Sequence, residues 1–431
     1  LDESLKAGCD QYGIMKSDDQ KDRILSHEER KVFDFIDKDP VLEIEGTAEY
    51  PVMYRALGSE PRTQHPFHLY EDIRSEPVAV QKTLEIIQPS IQQIAADLIK
   101  RDITHILGLA LPTSQFVAQA ANPAFWQWAG ISAEDRDSVE VLCYDKPYDP
   151  KHTAVFAYSG SGSTFDTLEA TKKMKAQGMY TVAVTSVAGS PLTKIADSSI
   201  VCAGGFDTGG SDTFHYATRL SACLALAAEL GTQTKNTKED VTQLKKDLYG
   251  VPKKMAERLD SIDARCHSIA KYTKDMRSAI IVGAGPNFGT AEEMELKFEE
   301  MAHIPAKSMV PTRHLHGALG LTTEKIMTIL LNPTTKAQQW MDQIADTTVG
   351  LKSPSMAIVP DEERDLSLKM DWVIRCPYSN EFLYALFVVP AIQMYPYYCA
   401  VEQGNINPDC QRSNIPKHAR VWKMVLKRGG H

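Results

Sequence analysis

The sequence predicts an α/β fold in which two similar units, each a mainly parallel sheet flanked by helices, follow one another along the chain. Three observations predict it. From about Ile103, short uninterrupted apolar runs alternate with longer stretches of helical periodicity, the pattern of strands covered by helices on both faces. The alternation lapses in a polar stretch, TQTKNTKED, and restarts at Ser278. The length of 431 residues, with 43% hydrophobic and 24% charged, gives each of two soluble domains enough chain to bury a core.

The elements follow in order. Residues 1–66 form a charged N-terminal arm with little apolar periodicity. ITHILGLAL and TAVFAY read as buried strands, and TFDTLEATKKMKAQG as a helix with Leu168 and Met174 on its apolar face, ending at Gly178. YTVAVTS and SSIVCAGG are further strands, and SDTFHYATRLSACLALAAELG is a long helix ending at Gly231. These place a first domain at 67–235, a linker helix at 236–274 and a second domain at 275–431. In the second, SAIIVGAG, MTILLN, SMAIVP and WVIRCP are strands, while TAEEMELKFEEMAH and AQQWMDQIAD are helices. EFLYALFVVPAIQMYPYYCAVEQG is a buried helix disturbed at Pro390 and Pro396.

Several classes of function are excluded. A net charge of −9 and a pI near 5.8 make a nucleic-acid backbone an unsuitable partner. The eight cysteines are scattered without a CxxC pair, as expected of reduced, mostly buried thiols in a cytoplasmic protein. No basic, apolar and small-residue leader is present and no apolar run reaches the length of about 20 residues that spans a membrane, so no membrane partner is expected. GAGPNFG at 283–289 imitates a dinucleotide fingerprint, but the stretch where the ribose-binding acid belongs, AKSMVPT, carries none. The close pair His314 and His316 lacks further ligands at metal spacing. No cofactor and no metal are expected.

Two motifs carry chemistry. YSGSGSTFDT ends a strand and opens a helix. Gly160 and Gly162 permit a tight turn, Ser159, Ser161, Ser163 and Thr164 supply hydroxyls, and the helix start adds unpaired amides. That set suits a phosphate monoester, although a serine-capped strand–helix turn would look similar. No lysine follows the glycines, so it is not a nucleotide loop. In TAEEMELKFEEMAH, Glu293, Lys297 and Glu300 are spaced by four and three and share a helix face, with Leu296 and Met301 toward the core. On spacing alone a solvated, salt-bridged face is the simpler reading. The next loop, RHLHGALG, lifts a chemical one, because it sets a histidine beside a permissive glycine. A carboxylate and an imidazole are the natural pair for moving a proton between adjacent carbons near neutral pH.

These stretches resemble the sugar-isomerase (SIS) superfamily, most of all the isomerase half of glucosamine-6-phosphate synthases, and the related sugar-phosphate deglycases. SGSGSTFDT is similar to that family's SxSGxTxDT loop, PTSQFVAQAANPAFWQWAG to its Thr-Ser segment, and HLYEDIRSEPVAVQKTL to its opening segment. The resemblance runs from about residue 67 to 420. It implies two tandem SIS domains, each with a mainly parallel five-stranded sheet of flavodoxin-like type. It implies that Thr113, Ser114, Ser159, Ser161 and Thr164 cradle a sugar phosphate, with Ser163 standing where the synthases carry Glu. From Gly283 the match to the synthase helix holds without a gap, which puts Glu300 on the enediol base and His316 on the ring-opening histidine. Lys297 falls on a lysine of the same helix, and Arg313 replaces a Glu near the substrate. Because that histidine reaches the site from a neighbouring subunit, the resemblance implies a homodimer or larger assembly with composite sites. In the tail, NINPDCQRSNIPKHARVW, Lys417 is the counterpart of a lysine that contacts the open-chain sugar.

The expected function is aldose–ketose isomerisation of a hexose or hexosamine 6-phosphate by enediol or enolamine proton transfer, with amination or deamination at C2 included. The alternatives are a fructosamine-phosphate deglycase and a non-catalytic sugar-phosphate sensor. With 66 residues ahead of the first domain, this chain as given is not expected to hydrolyse glutamine.

Overall fold

A computed structural model describes residues 62–409, apart from 145, 206–207, 235–240, 334–335 and 405. Nearly all of the N-terminal arm, and Lys417, lie outside the described residues. Two helices come first, α1 (His68–Ile86) and α2 (Gln88–Lys100). There follow β1 (His105–Ala110), α3 (Pro112–Ala124), β2 (Ser132–Asp137), α4 (Ser138–Cys143), β3 (Thr153–Tyr158), α5 (Phe165–Ala176), β4 (Tyr180–Thr185), α6 (Pro191–Ile195) and β5 (Ser198–Val201). Two long helices, α7 (Thr213–Thr234) and α8 (Val241–Thr273), lead to the second run. That run is β6 (Ala279–Val282), α9 (Pro286–Lys297), β7 (Ala306–Met309), α10 (Pro311–His316), β8 (Met327–Leu331), α11 (Gln338–Leu351), β9 (Ser355–Pro360) and β10 (Trp372–Cys376). It closes with α12 (Glu381–Phe387) and α13 (Val389–Gln403).

Both sheets have five strands and every pairing is parallel, with orders β2-β1-β3-β4-β5 and β10-β9-β8-β6-β7. Counted from its own first strand, each sheet has the same order. The likeness extends to detail. In each repeat the helix after the first strand runs into a five-residue π-helical turn, Phe125–Ala129 or Phe298–Ala302. Each turn is closed by a left-handed residue, Gly130 at φ 69° or His303 at φ 53°. The central strands β3, β4, β8 and β9 are buried along their whole length, as both faces of a parallel sheet must be when helices cover them.

One continuous core joins the repeats. It contains Phe156 and Val182 from the first sheet, Ile281 and Ile329 from the second, and residues of α7, α8 and α13 between them. The segment expected as a linker helix, α8, lays Leu248, Val251, Met255, Ile262, Cys266 and Ile269 into this core. The helices α3 and α9 approach so closely that a Cβ on Gly289 would lie 2.6 Å from the Phe116 carbonyl oxygen.

Pro390 falls at the start of α13, where a missing amide costs nothing, and the break expected there is the junction at Val388. Pro396 lies inside α13 without ending it. By length and composition Glu381–Gln403 is apolar enough to cross a membrane, yet its most apolar stretch is wholly buried within the protein. Among the described residues all the cysteines are free thiols, and all but Cys143 are buried.

Candidate functional site

The serine-rich loop leaves β3 at Ser159 and enters α5 at Phe165. Its hydroxyls bond one another. Ser159 Oγ and Thr164 Oγ1 are 2.8 Å apart, Ser163 Oγ donates to Ser161 Oγ at 2.9 Å, and the Gly162 amide donates to Ser159 Oγ at 3.0 Å. Gly162 has φ +65°, a conformation that costs a residue with a side chain about 1 kcal/mol or more. Since Thr164 turns its hydroxyl to Ser159, it gives no side-chain cap to α5, and the first-turn amides keep their donor capacity and partial positive charge. Thr113 and Ser114, in the first turn of α3, are buried, and that helix too lacks a side-chain cap.

The carboxylate helix is not solvated. Glu293 and Lys297 are fully buried, and Glu300 sits just inside the π-helical turn with 21% of its side chain accessible. Glu299 is exposed, and the core face is made by Met294, Phe298 and Met301, with Leu296 half-buried rather than in the core. The Lys297 ammonium donates to Glu300 Oε2 at 2.8 Å, to the Ser211 carbonyl at 2.5 Å and toward Thr113 Oγ1 at 3.4 Å. Burial works against this charge, but the carboxyl groups around it, Glu300 at 2.8 Å among them, raise the Lys297 pKa and keep the ammonium protonated. With its three N–H bonds committed, Lys297 is an anchor and not a nucleophile.

Glu293 stands 3.4 Å from Lys297 Nζ, yet neither of its oxygens accepts a well-formed hydrogen bond. Burial, opposed by Lys297 and reinforced by Glu300, pushes its carboxyl up to about 8. A second buried carboxyl, Glu76 on α1, has no hydrogen-bond partner on either oxygen and is pushed well above the usual range by burial and by Glu293. Both are therefore neutral acids near pH 7.

Three functional-looking residues were missed by the sequence analysis: Asp212, His215 and Arg219. Arg219 is fully buried in α7. It donates through Nη1 to Ser114 Oγ, through Nη2 to Asp212 Oδ2 and through Nε to the His215 carbonyl at 2.9 Å. His215 meets Asp212 Oδ1 with Nδ1 and the Gly205 carbonyl at 2.7 Å with Nε2. Asp212 and the Gly205 carbonyl thus grip the ring from both nitrogens. Asp212 also faces the serine-rich loop, for a Cβ on Gly160 would lie 2.5 Å from its Oδ1. The signal was present in the sequence. His215 and Arg219 are spaced by four in an otherwise small and apolar helix, with Asp212 just ahead of its first residue, a spacing of the kind that drew attention to the carboxylate helix.

The structure thus brings together the 159–164 loop, Thr113, Ser114, Lys297 and Glu300, with Arg219 and Lys297 as the ties. It does not bring in His316 or Arg313. Both are exposed on α10, and His316 makes no hydrogen bond or ion pair with any described residue. His314, its near neighbour in the sequence, is fully buried, 3.1 Å from Thr322 Oγ1, and burial lowers its pKa. No cluster of His, Cys, Asp and Glu among the described residues could hold a metal ion.

Residues 98–228, the heart of the first repeat, match the SIS domain family. This chain carries a SIS domain. Outside that domain the similarity continues. The chain is 28% identical over 365 residues to glutamine–fructose-6-phosphate aminotransferase (isomerizing) of Thermococcus kodakarensis, covering 83% of this chain and 58% of that protein. The enzyme of the same name from Pyrobaculum aerophilum is 26% identical over 360 residues, with the same coverage. The chain therefore spans less than two thirds of the length of these curated relatives. Among solved structures, the C-terminal domain of glucosamine-fructose-6-phosphate aminotransferase from Francisella tularensis aligns with a TM-score of 0.73 and 20% identity, over 80% of this chain and 98% of that one. Glucosamine-6-phosphate deaminase from Thermotoga maritima gives 0.65 and 16%, over 79% and 96%. These structural likenesses show that the fold around the SIS domain is shared.

Proposed function

We propose that the protein interconverts the aldose and ketose forms of a hexose or hexosamine 6-phosphate, with Glu300 as the base that carries the proton between C1 and C2. The observation that carries this reading is the buried Lys297 ammonium. It fixes the Glu300 carboxylate against Thr113 and Ser211, beside a loop of hydroxyls and uncapped helix amides. In this reading Ser159, Ser161, Ser163 and Thr164 seat the phosphate, with Thr113 and Ser114 opposite. Glu300 removes the proton beside the carbonyl, leaving an enediol or enolamine, and returns it to the neighbouring carbon. Lys297 steers the carboxylate throughout. His316 opens the ring from a second copy of the chain, Lys417 meets the open-chain sugar, and the second sheet is a second SIS domain, as its strand order supports. The names of the relatives, aminotransferases and a deaminase acting on sugar phosphates, point to the same substrate class.

The test is turnover on a panel of hexose, hexosamine and fructosamine 6-phosphates by the wild type and by Glu300→Gln, which keeps shape and removes basicity. The expected outcome is a kcat lower by about 10²–10⁴-fold with KM nearly unchanged. Near-wild-type turnover by the variant would refute the assignment. Tight binding of sugar phosphates with no turnover by the wild type would favour a sensor.

A further inference from the structure

We propose that the cavity between α8 and β10 is an anion site in which Arg258 and Arg265 hold a phosphate group, free or carried on a small metabolite. The proposal does not depend on the sugar-phosphate reading above, because none of the residues lining this cavity belongs to the constellation around Lys297.

Placement comes first. Arg258 and Arg265 are seven residues apart on α8, close to two helical turns, and so share a face. The strand beside that face, β10, is the edge of its sheet and pairs only with β9. Between helix and strand lies a cavity of about 360 Å³, within the range of about 300–1,000 Å³ that small ligands occupy. Ile262 and Ile374, both buried in the core, form part of its lining. Three arginines, Arg258, Arg265 and Arg375, form another part, and among the described residues no acid lines it. In a chain of net charge −9, that is a local reversal of sign.

The hydrogen bonds then show which donors remain. Arg375 is held by its own surroundings. Its Nη1 donates to the carbonyls of Pro360, Asp361 and Glu363 at 3.2, 3.1 and 2.7 Å, and its Nη2 to Ser367 Oγ at 3.1 Å. It contributes a fixed positive charge. Arg258 pairs through Nη2 with Asp361, while its Nε is buried without a hydrogen-bond partner. Arg265 donates through Nε to the Val373 carbonyl at 2.8 Å, which orients the guanidinium, and its two Nη groups have no partner among the described residues. The acids of α8 between these two arginines, Asp260 and Asp263, are ion-paired instead with Arg74 on α1. A buried N–H of a charged group is costly to leave unpaired. One phosphate, with several acceptor oxygens, can take the Arg258 Nε–H and the Arg265 Nη groups together, the multipoint geometry for which a planar guanidinium is suited and an ammonium is not.

The experiment uses the full chain and inorganic phosphate as the probe. Affinity is read from the rise of the thermal unfolding midpoint with phosphate concentration, at an ionic strength held constant with chloride. All variants carry Ser161→Ala and Thr164→Ala, so that the serine-rich loop does not dominate the signal. This background is expected to keep a phosphate-dependent rise, and adding Arg265→Gln to weaken the affinity by about 10-fold or more. Arg265 is exposed, so its replacement leaves the fold intact. Arg265→Lys, which keeps the charge without the fork, is expected to weaken binding as well. No phosphate-dependent rise in the background protein overturns the proposal, and so does an affinity unchanged by Arg265→Gln. Full affinity in Arg265→Lys would show a diffuse positive field in place of a built site and overturns it too. A hexose 6-phosphate titrated into the same background identifies the source: tighter binding than inorganic phosphate, lost with Arg265→Gln, marks a phosphorylated metabolite, and equal or weaker binding marks free phosphate.

Discussion

Glu293 shows how much a side chain's meaning depends on what covers it. In the sequence it is one of three charged residues on a helix face; in the structure it is a buried acid raised to about 8 by burial, against the pull of Lys297. The folded protein keeps a proton there that the unfolded chain releases near the ordinary glutamate range of about 4.3. Stability from this group is therefore complete below that range and is lost as pH rises toward 8, with Glu76 acting in the same direction. Glu293→Gln, permanently neutral, should flatten the fall in stability between pH 6 and pH 8 by up to roughly 1.4 kcal/mol per pH unit. Urea unfolding midpoints across that range check it, and parallel curves for variant and wild type would contradict it. The spacing of Glu293, Lys297 and Glu300 was legible in the sequence, but their burial was not, because helical periodicity reports which residues share a face and not what packs on it. Asp212, His215 and Arg219 escaped for the complementary reason, sitting at the start of, or within, a helix that reads as apolar core.

Among the elements, the strand–loop–helix unit from β3 to α5 is the one whose local sequence says most. Its hydroxyls satisfy each other rather than capping α5, so removing two of them changes the loop's donors with little effect on the helix. Ser161→Ala combined with Thr164→Ala should weaken binding of a phosphosugar by about 10-fold or more while leaving the weak binding of the unphosphorylated sugar unchanged. Titration calorimetry with both ligands decides it, and equal affinity of the wild type for both would end the phosphate-cradle reading. The central strands were legible because both faces are buried and their apolar runs are unbroken. The edge strand β2, with the sequence SAEDRD, was not. It pairs on one side only, and charged residues are what an exposed edge tolerates. The helices α1 and α2 were also missed, although α1 carries the buried Glu76.

For the whole molecule, the restart of the strand–helix pattern announced a repeat, and the equal strand orders show how far it goes. Equivalent helices have diverged in their chemistry. The start of α3 carries Thr113 and Ser114, while the end of α9 carries Lys297 and the π-helical turn after it Glu300. His316 stays outside this constellation within one chain, and the resemblance implies that a second copy provides it. Sedimentation should then show a species heavier than the 47.9 kDa chain. Mixing and re-equilibrating inactive Glu300→Gln and His316→Ala proteins should restore up to about a quarter of wild-type activity, since half the dimers are mixed and each has one intact site. No recovery, with a monomer in the centrifuge, would place the ring-opening group elsewhere.

The burial of α7 has a consequence for the birth of the protein. Nineteen residues of this helix are buried, some by α1, α2 and α3, which are made before it, and others by α8 and α12, which are made after it. Tyr216 even hydrogen-bonds Thr290 in α9. As synthesis proceeds from the N-terminus, the emerging first half must hold a largely apolar helix half-covered until more than a hundred further residues have been translated. A ribosome pausing in that interval leaves a sticky surface exposed to the cell, so the chain's vulnerability to aggregation is greatest during its manufacture and not after it.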